Sequence, residues 1–231
     1  MRTTERPTEN EDRKMPNHVT TVIKASKEVI ASTLNERGNI DFNKVVPFSG
    51  EFEWSGVCCD AETAAEKIIG KPLDSNPLLS MLQADSRERA DISKLTDEGF
   101  EQFIQMLRNH RKTGFMHSMD FARDKWGTKW NAYSQSIDLA AGVARFETAW
   151  SFPEPILICL SEKFPDSVIE AKYADEDIGS NCGSITFIGG VASSRNESGR
   201  WRDMSPLERE MWRAFAYEVT GREPDQDEDA T

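Results

Sequence analysis

Apolar positions alternate in some stretches of this chain and recur every three to four residues in others. That change of period marks out its elements. HVTTVIKA, residues 18 to 25, alternates and is rich in β-branched side chains, which predicts a strand. Ser26 then stands where it can cap a helix, Val29, Ile30 and Leu34 share one face, and Gly38 can end it. Residues 41 to 54 read as an extended loop, because Pro47 and Gly50 prevent a regular helix. Residues 60 to 69 are helical in pattern, and a short apolar helix follows Pro72 and Pro77. Thr96 can cap a longer helix in which Phe100, Phe103, Ile104 and Leu107 fall on one face, ending at Thr113-Gly114. HSMDFARDKW, residues 117 to 126, adds another turn or two of helix.

The second half changes period. Residues 129 to 137 and 143 to 150 alternate around a turn at Gly142, which predicts a hairpin. Centred near Ala140, it would set Trp130 across from Trp150, an aromatic pair worth roughly 0.2–1 kcal/mol. Pro153 and Pro155 suit the first turn of a helix whose Ile156, Leu157 and Leu160 face the sheet. Strands follow at 167 to 174 and 184 to 190, separated by an acidic turn. The order is β-α, a helical insertion from about 40 to 128, then β-β-α-β-β. Without the insertion this is a split β-α-β pattern. The expected class is α+β, a ferredoxin-like antiparallel sheet with helices on one face, spanning residues 15 to 191.

Residues 192 to 222 read as a linker and one extra amphipathic C-terminal helix. Ser205 to Glu208 spell a capping box with Pro206 in the first helical position. Leu207, Met211 and Phe215 then recur every four residues beside Trp212, up to Gly221. Docking on its own chain is the simplest fate for this face; a second copy or a partner are the alternatives. Residues 1 to 14 and the acidic tail 223 to 231 are expected to be disordered.

With 231 residues, 38% of them hydrophobic, the chain can bury one sizeable core or two small ones. No apolar run approaches the ~20 residues of a membrane span. The charged N-terminus lacks the apolar stretch of a secretory signal, so a cytoplasmic protein that does not bind membranes is expected. Cys58, Cys59, Cys159 and Cys182 form no C-x-x-C and read as reduced thiols. His18, His110 and His117 show no ligand spacing with them, and Asp175, Glu176 and Asp177 lack the spacing of a calcium loop. Neither a phosphate-binding glycine motif nor a nucleophile elbow occurs. His117 reads as structural or superficial. No metal, no cofactor and no enzymatic activity are expected.

A formal net charge of −12 opposes non-specific attraction to nucleic acid or anionic lipid. Residues 108 to 129 are the exception, with six basic side chains against two acidic ones. A solvated helix face explains that island most simply. It adjoins DKWGTKWNAY, however, and basic groups beside aromatic ones suit a single strand of nucleic acid. Trp130 and Trp150 read as hairpin packing, with Gly127 permitting a tight turn into the strand. Lys129 is out of phase with Trp130 and should point to the other face. The candidate binding residues are Trp126, Lys129 and Tyr133, with Arg123 and Lys125 beside them.

PNHVT after Met15, VVPF, KWGTKWNAY, FETAWSFPEPIL and LSEKFPD occur in that order, and over about residues 15 to 191 the chain resembles the YubB ferredoxin-like family. Its members are uncharacterised proteins of bacterial plasmids, phages and prophages. The resemblance implies the ferredoxin-like fold, a mobile-element context and Met15 as the start; it implies no reaction and no catalytic residue. Together with the acidic charge, it points to a non-catalytic accessory protein that binds a bacterial host protein, host-defence components being one class of target. The alternative is a nucleic-acid binder that uses the basic segment 108 to 129.

Overall fold

The computed structural model describes residues 17 to 224. The expectations for residues 1 to 14, for Met15 and for the tail beyond Pro224 lie outside the described residues. The chain runs β1 (His18–Lys24), α1 (Lys27–Ser32), α2 (Phe42–Val45), α3 (Cys59–Ile69), α4 (Pro77–Arg89), α5 (Asp97–Thr113) and α6 (Ser118–Lys125). It continues with β2 (Tyr133–Asp138), β3 (Val143–Ala149), α7 (Glu154–Lys163), β4 (Ile169–Asp175), β5 (Cys182–Ile188), β6 (Val191–Glu197) and α8 (Pro206–Thr220). The strands form one sheet in the order β2-β3-β1-β4-β5-β6, every neighbouring pair antiparallel. Without α2 to α6 and the final hairpin, the order β2-β3-β1-β4 is the ferredoxin-like arrangement.

Period-two alternation explains how the sheet is covered. Val19 and Ile23 of β1, Phe146 of β3, Ile169, Ala171 and Tyr173 of β4, and Ile185 and Phe187 of β5 share one buried cluster. Val29 and Ile30 of α1 and Ile156, Leu157 and Leu160 of α7 pack into it. Each such aliphatic side chain contributes about 1.5–3 kcal/mol on burial. The other face carries Val22, Ala174 and Cys182, and these are covered by Trp212, Ala216 and Val219 of α8. The C-terminal helix therefore docks on its own sheet. Its capping box is formed by Ser205 and Glu208. The Arg145 guanidinium donates to the carbonyls of Val219 and Thr220, a cation at the negative end of the helix dipole.

The insertion has a small core of its own. Ala61, Ala64 and Ala65 of α3 let α5 approach closely, and Phe103, Met106 and Met116 fill the seam. Its last helix returns to the main core, where Phe121 and Trp126 are buried with Phe42 and Val45 of α2. Asn109 ties the extended segment before α3 to α5: its Oδ1 accepts from the Glu51 N–H (3.0 Å), and its Nδ2 donates to the carbonyls of Glu51 (2.7 Å) and Met116 (2.9 Å).

Four expectations need correction. The first helix stops at Ser32, short of Gly38, and Leu34 bridges Ile40 instead. Residues 42 to 45 of the expected loop form α2, capped by the Asp41 side chain ahead of Pro47. Residues 191 to 197 are a strand and not part of a linker. Their side chains are nearly all exposed, so no apolar alternation announces β6. The turn before it does so instead: Gly189 and Gly190, at φ +57° and +82°, close a two-residue hairpin that pairs Ile188 with Val191. The β2 strand also begins later than position 129, at Tyr133, and is bulged between Tyr133 and Ser136, where Ser134 takes φ +47°.

Candidate functional site

The bounds of the hairpin leave all three tryptophans of this region outside its strands. Trp130 and Trp150 fall beyond the paired segment of the hairpin, 37% and 51% exposed, and do not form the expected cross-strand pair. The Lys129 ammonium lies over the Trp130 ring, 4.7 Å from its centroid, rather than on the opposite face. Strand phase cannot separate them because residues 129 and 130 precede the strand. Trp126 is buried at 4% exposure, its indole N–H donating to the Val46 carbonyl (2.9 Å) and its ring set edge-on to Phe42 and Phe121. Its side chain belongs to the core.

The remaining candidates divide. Arg123 and Lys129 line one cavity of about 360 Å³ together with Trp150, at the end of the sheet. Lys125 is turned away, paired with Asp124 (2.9 Å) and lying over Phe115. Tyr133 belongs to a different place: its hydroxyl and His18 Nδ1 are 2.8 Å apart, and burial, aided by Glu147 and Glu176, pushes its pKa up to about 12. In sequence, Trp150 reads as hairpin packing. A bulky residue at a strand end gives no sign that its backbone turns left-handed, at φ +69°.

His117 is structural in its contacts. It is 1% exposed and caps α6, its Nδ1 accepting from the Asp120 N–H (3.2 Å). That bond places the ring proton on Nε2, which lies 3.1 Å from the Glu62 carboxylate. The bond to His117 holds the Glu62 carboxyl below its ordinary range. Asp120 pairs with Lys71 (2.9 Å), and Lys71 and Arg87 converge on Glu66. Asp175 is likewise occupied locally, accepting from Asn17, Asn181 and the Asp177 N–H. Among the described residues no three His, Cys, Asp or Glu side chains converge as a metal-binding group, the four cysteines are free, and no helix is long and apolar enough to cross a membrane.

The most unusual surface is α4. Pro77 occupies its first turn and the Asn76 side chain caps it, accepting from the N–H groups of Leu78 and Leu79. None of its residues is buried. The partly covered ones are Ser80, Gln83 and Arg87, at helical spacing on one side. Gln83 accepts from the Asp74 N–H (2.7 Å), and Arg87 pairs with Glu66 of α3 (3.0 Å). Leu78, Leu79, Met81 and Leu82 occupy the outward side and are 47–61% exposed. The helix is thus inside out, its polar stripe on the domain and its apolar stripe toward solvent. Leu73, just before it, is exposed as well.

A family model described as the ferredoxin-like domain in Api92-like protein matches residues 129 to 205, which is β2 through β6 and the approach to α8. The match makes the sheet a ferredoxin-like domain and includes β6 in it. A search of curated proteins finds no match. Among solved structures, a crystal structure of a protein api92 from Yersinia pseudotuberculosis aligns over 80% of this chain and 98% of that one, at 10% identity and a TM-score of 0.33.

Proposed function

We propose that this protein is a non-catalytic interaction module, a mobile-element accessory protein whose α4 face docks on a basic bacterial host protein. One observation carries the reading: α4 holds its polar stripe against the domain and presents Leu78, Leu79, Met81 and Leu82 to solvent. A lone exposed leucine needs no explanation, but a contiguous apolar stripe on a capped helix is what an interface leaves behind when its partner is absent. Charge selects the partner. A chain at −12 is steered toward a positive surface and repelled from another copy of itself. A nucleic-acid-binding host protein, host-defence components among them, offers such a surface. The resemblance to a family of plasmid and phage proteins supports the context.

The test is capture of the tagged full chain from a nuclease-treated host lysate, run beside the double variant Leu78→Glu, Leu82→Glu. The expected result is a basic protein retained by the wild type, lost with the variant and weakened by salt. Equal retention by both chains overturns the α4 assignment. A concentration-dependent dimer, abolished by the same variant, would assign the face to a second copy instead.

A further inference from the structure

We propose that the cavity walled by Arg123, Lys129 and Trp150 binds one nucleotide unit, its base stacked on the Trp150 indole and its phosphate held by the two cations. The site stands apart from α4 and does not depend on the docking role of that helix.

Three features converge there. The first is strain at a side chain that is only half covered. Trp150 takes φ +69°, a conformation that costs an ordinary side chain about 1–2 kcal/mol, yet its indole is half exposed. Such outliers persist only where the surroundings hold them, and they cluster at binding sites. Here the surroundings do hold it. The Trp150 N–H donates to the Asn17 carbonyl (2.8 Å), the buried Thr148 hydroxyl to the Ser151 carbonyl (2.8 Å), and the buried Thr128 hydroxyl to the Ala149 carbonyl (2.9 Å). The second feature is a fixed opposite wall. Gly127, at φ +73°, brings its backbone so close to Pro155 that a Cβ would lie 2.8 Å from the ring. That contact sets the position of the loop that carries Lys129. The third is uncommitted charge. Among the described residues Arg123 has no hydrogen bond or ion pair, although Glu62 feels its field. Lys129 rests only on the Trp130 ring.

A flat aromatic wall beside two cations, around about 360 Å³, fits a base with a phosphate. Size and charge limit the ligand further. Two cations neutralise one or two phosphate charges, whereas the acidic remainder of the molecule repels a long strand. The same nucleotide chemistry could be supplied free or at the end of a single strand.

The test is intrinsic fluorescence of the full chain titrated at low salt with AMP, with adenosine and with a short oligo(dA). Saturable quenching by AMP or by the oligonucleotide is expected, with adenosine weaker for want of the phosphate. Trp150→Leu, which removes the reporting indole, is measured by equilibrium dialysis and should weaken binding about tenfold or more. Arg123→Gln and Lys129→Gln, both surface changes that leave the far-UV dichroism intact, should each weaken it several-fold and flatten its salt dependence. AMP binding as tightly as the oligonucleotide identifies the free nucleotide; binding of the oligonucleotide alone identifies the strand end. Absence of quenching by both AMP and the oligonucleotide, or affinity unchanged in Trp150→Leu and in both glutamine variants, overturns the proposal.

Discussion

Trp150 spends conformational energy to stand in solvent, and that has a measurable consequence. Replacing a tryptophan by glycine ordinarily removes packing and loosens the unfolded chain. Here Trp150→Gly relieves a left-handed φ of +69°, and it gives up the same covered half of the indole that Trp150→Ala does. The relief, about 1–2 kcal/mol, roughly offsets glycine's entropic cost of about 0.5–1 kcal/mol. Urea denaturation should therefore find Trp150→Gly as stable as Trp150→Ala or more so, by up to about 1.5 kcal/mol; a Trp150→Gly clearly less stable than Trp150→Ala would mean that the left-handed turn carries no strain. A second residue-scale prediction concerns acid. The carboxyls of Glu62 and Asp120 titrate below their ordinary values of 4.5 and 3.8, Glu62 through its bond to His117 and Asp120 through Lys71 and the Met116 N–H against the cost of burial. With folded values depressed, their stabilisation is complete above the unfolded values and is lost as the pH falls through the folded ones. The melting temperature should decline below about pH 4.5, and Glu62→Gln should lower it at pH 7 while flattening that decline. An unchanged acid limb in the variant would remove the Glu62–His117 pair from the account.

At the scale of elements, α4 inverts the usual consequence of mutation. Leu78→Glu with Leu82→Glu should leave unfolding free energy within about 0.5 kcal/mol, since surface changes rarely do more. Arg87→Ala should cost about 1–3 kcal/mol, because its side chain is largely covered and bonds both Glu66 and the Lys71 carbonyl. The opposite order in a denaturation series would show the leucines packed inward. This helix also marks the limit of what the sequence discloses. Apolar residues after Pro77 announce a helix correctly, but periodicity cannot say which stripe faces the domain; Glu66, 21 positions upstream of Arg87, decides it. Elements whose signal is local are legible: the Ser205 capping box, the Thr96 cap and the alternation of β1 all stand where the pattern puts them. The β6 strand is almost wholly exposed and shows no apolar alternation, so only Gly189-Gly190 announces it. At the candidate site Arg123 and Lys129 are legible as cations next to aromatic residues. The exclusion of Trp126 and the recruitment of Trp150 are not: the first follows from contacts with Phe42 and the Val46 carbonyl about 80 positions upstream, the second from a left-handed turn that composition does not encode.

Taken whole, the molecule is a sheet covered twice: by α1 and α7 on one face and by α8 on the other, with the insertion packed around a small core of its own. The four thiols report on this arrangement. Cys59 is exposed, whereas Cys182 lies under α8, where burial pushes its thiol pKa up. A thiol reagent applied to the native chain should label Cys59 at once and Cys182 only as α8 lifts. Trp212→Ala should accelerate labelling of Cys182 and leave that of Cys59 unchanged; parallel acceleration of both would indicate global loosening. The order of covering also matters while the chain is being made. Synthesis runs from the N-terminus, so Val22, Ala174 and Cys182 are complete before the segment that shelters them leaves the ribosome. Until the final helix emerges and Arg145 grips its last carbonyls, the nascent sheet shows a bare apolar face. That interval is when chaperone capture or aggregation competes with folding, so the yield of intact protein rests on α8 following promptly behind the sheet it shelters.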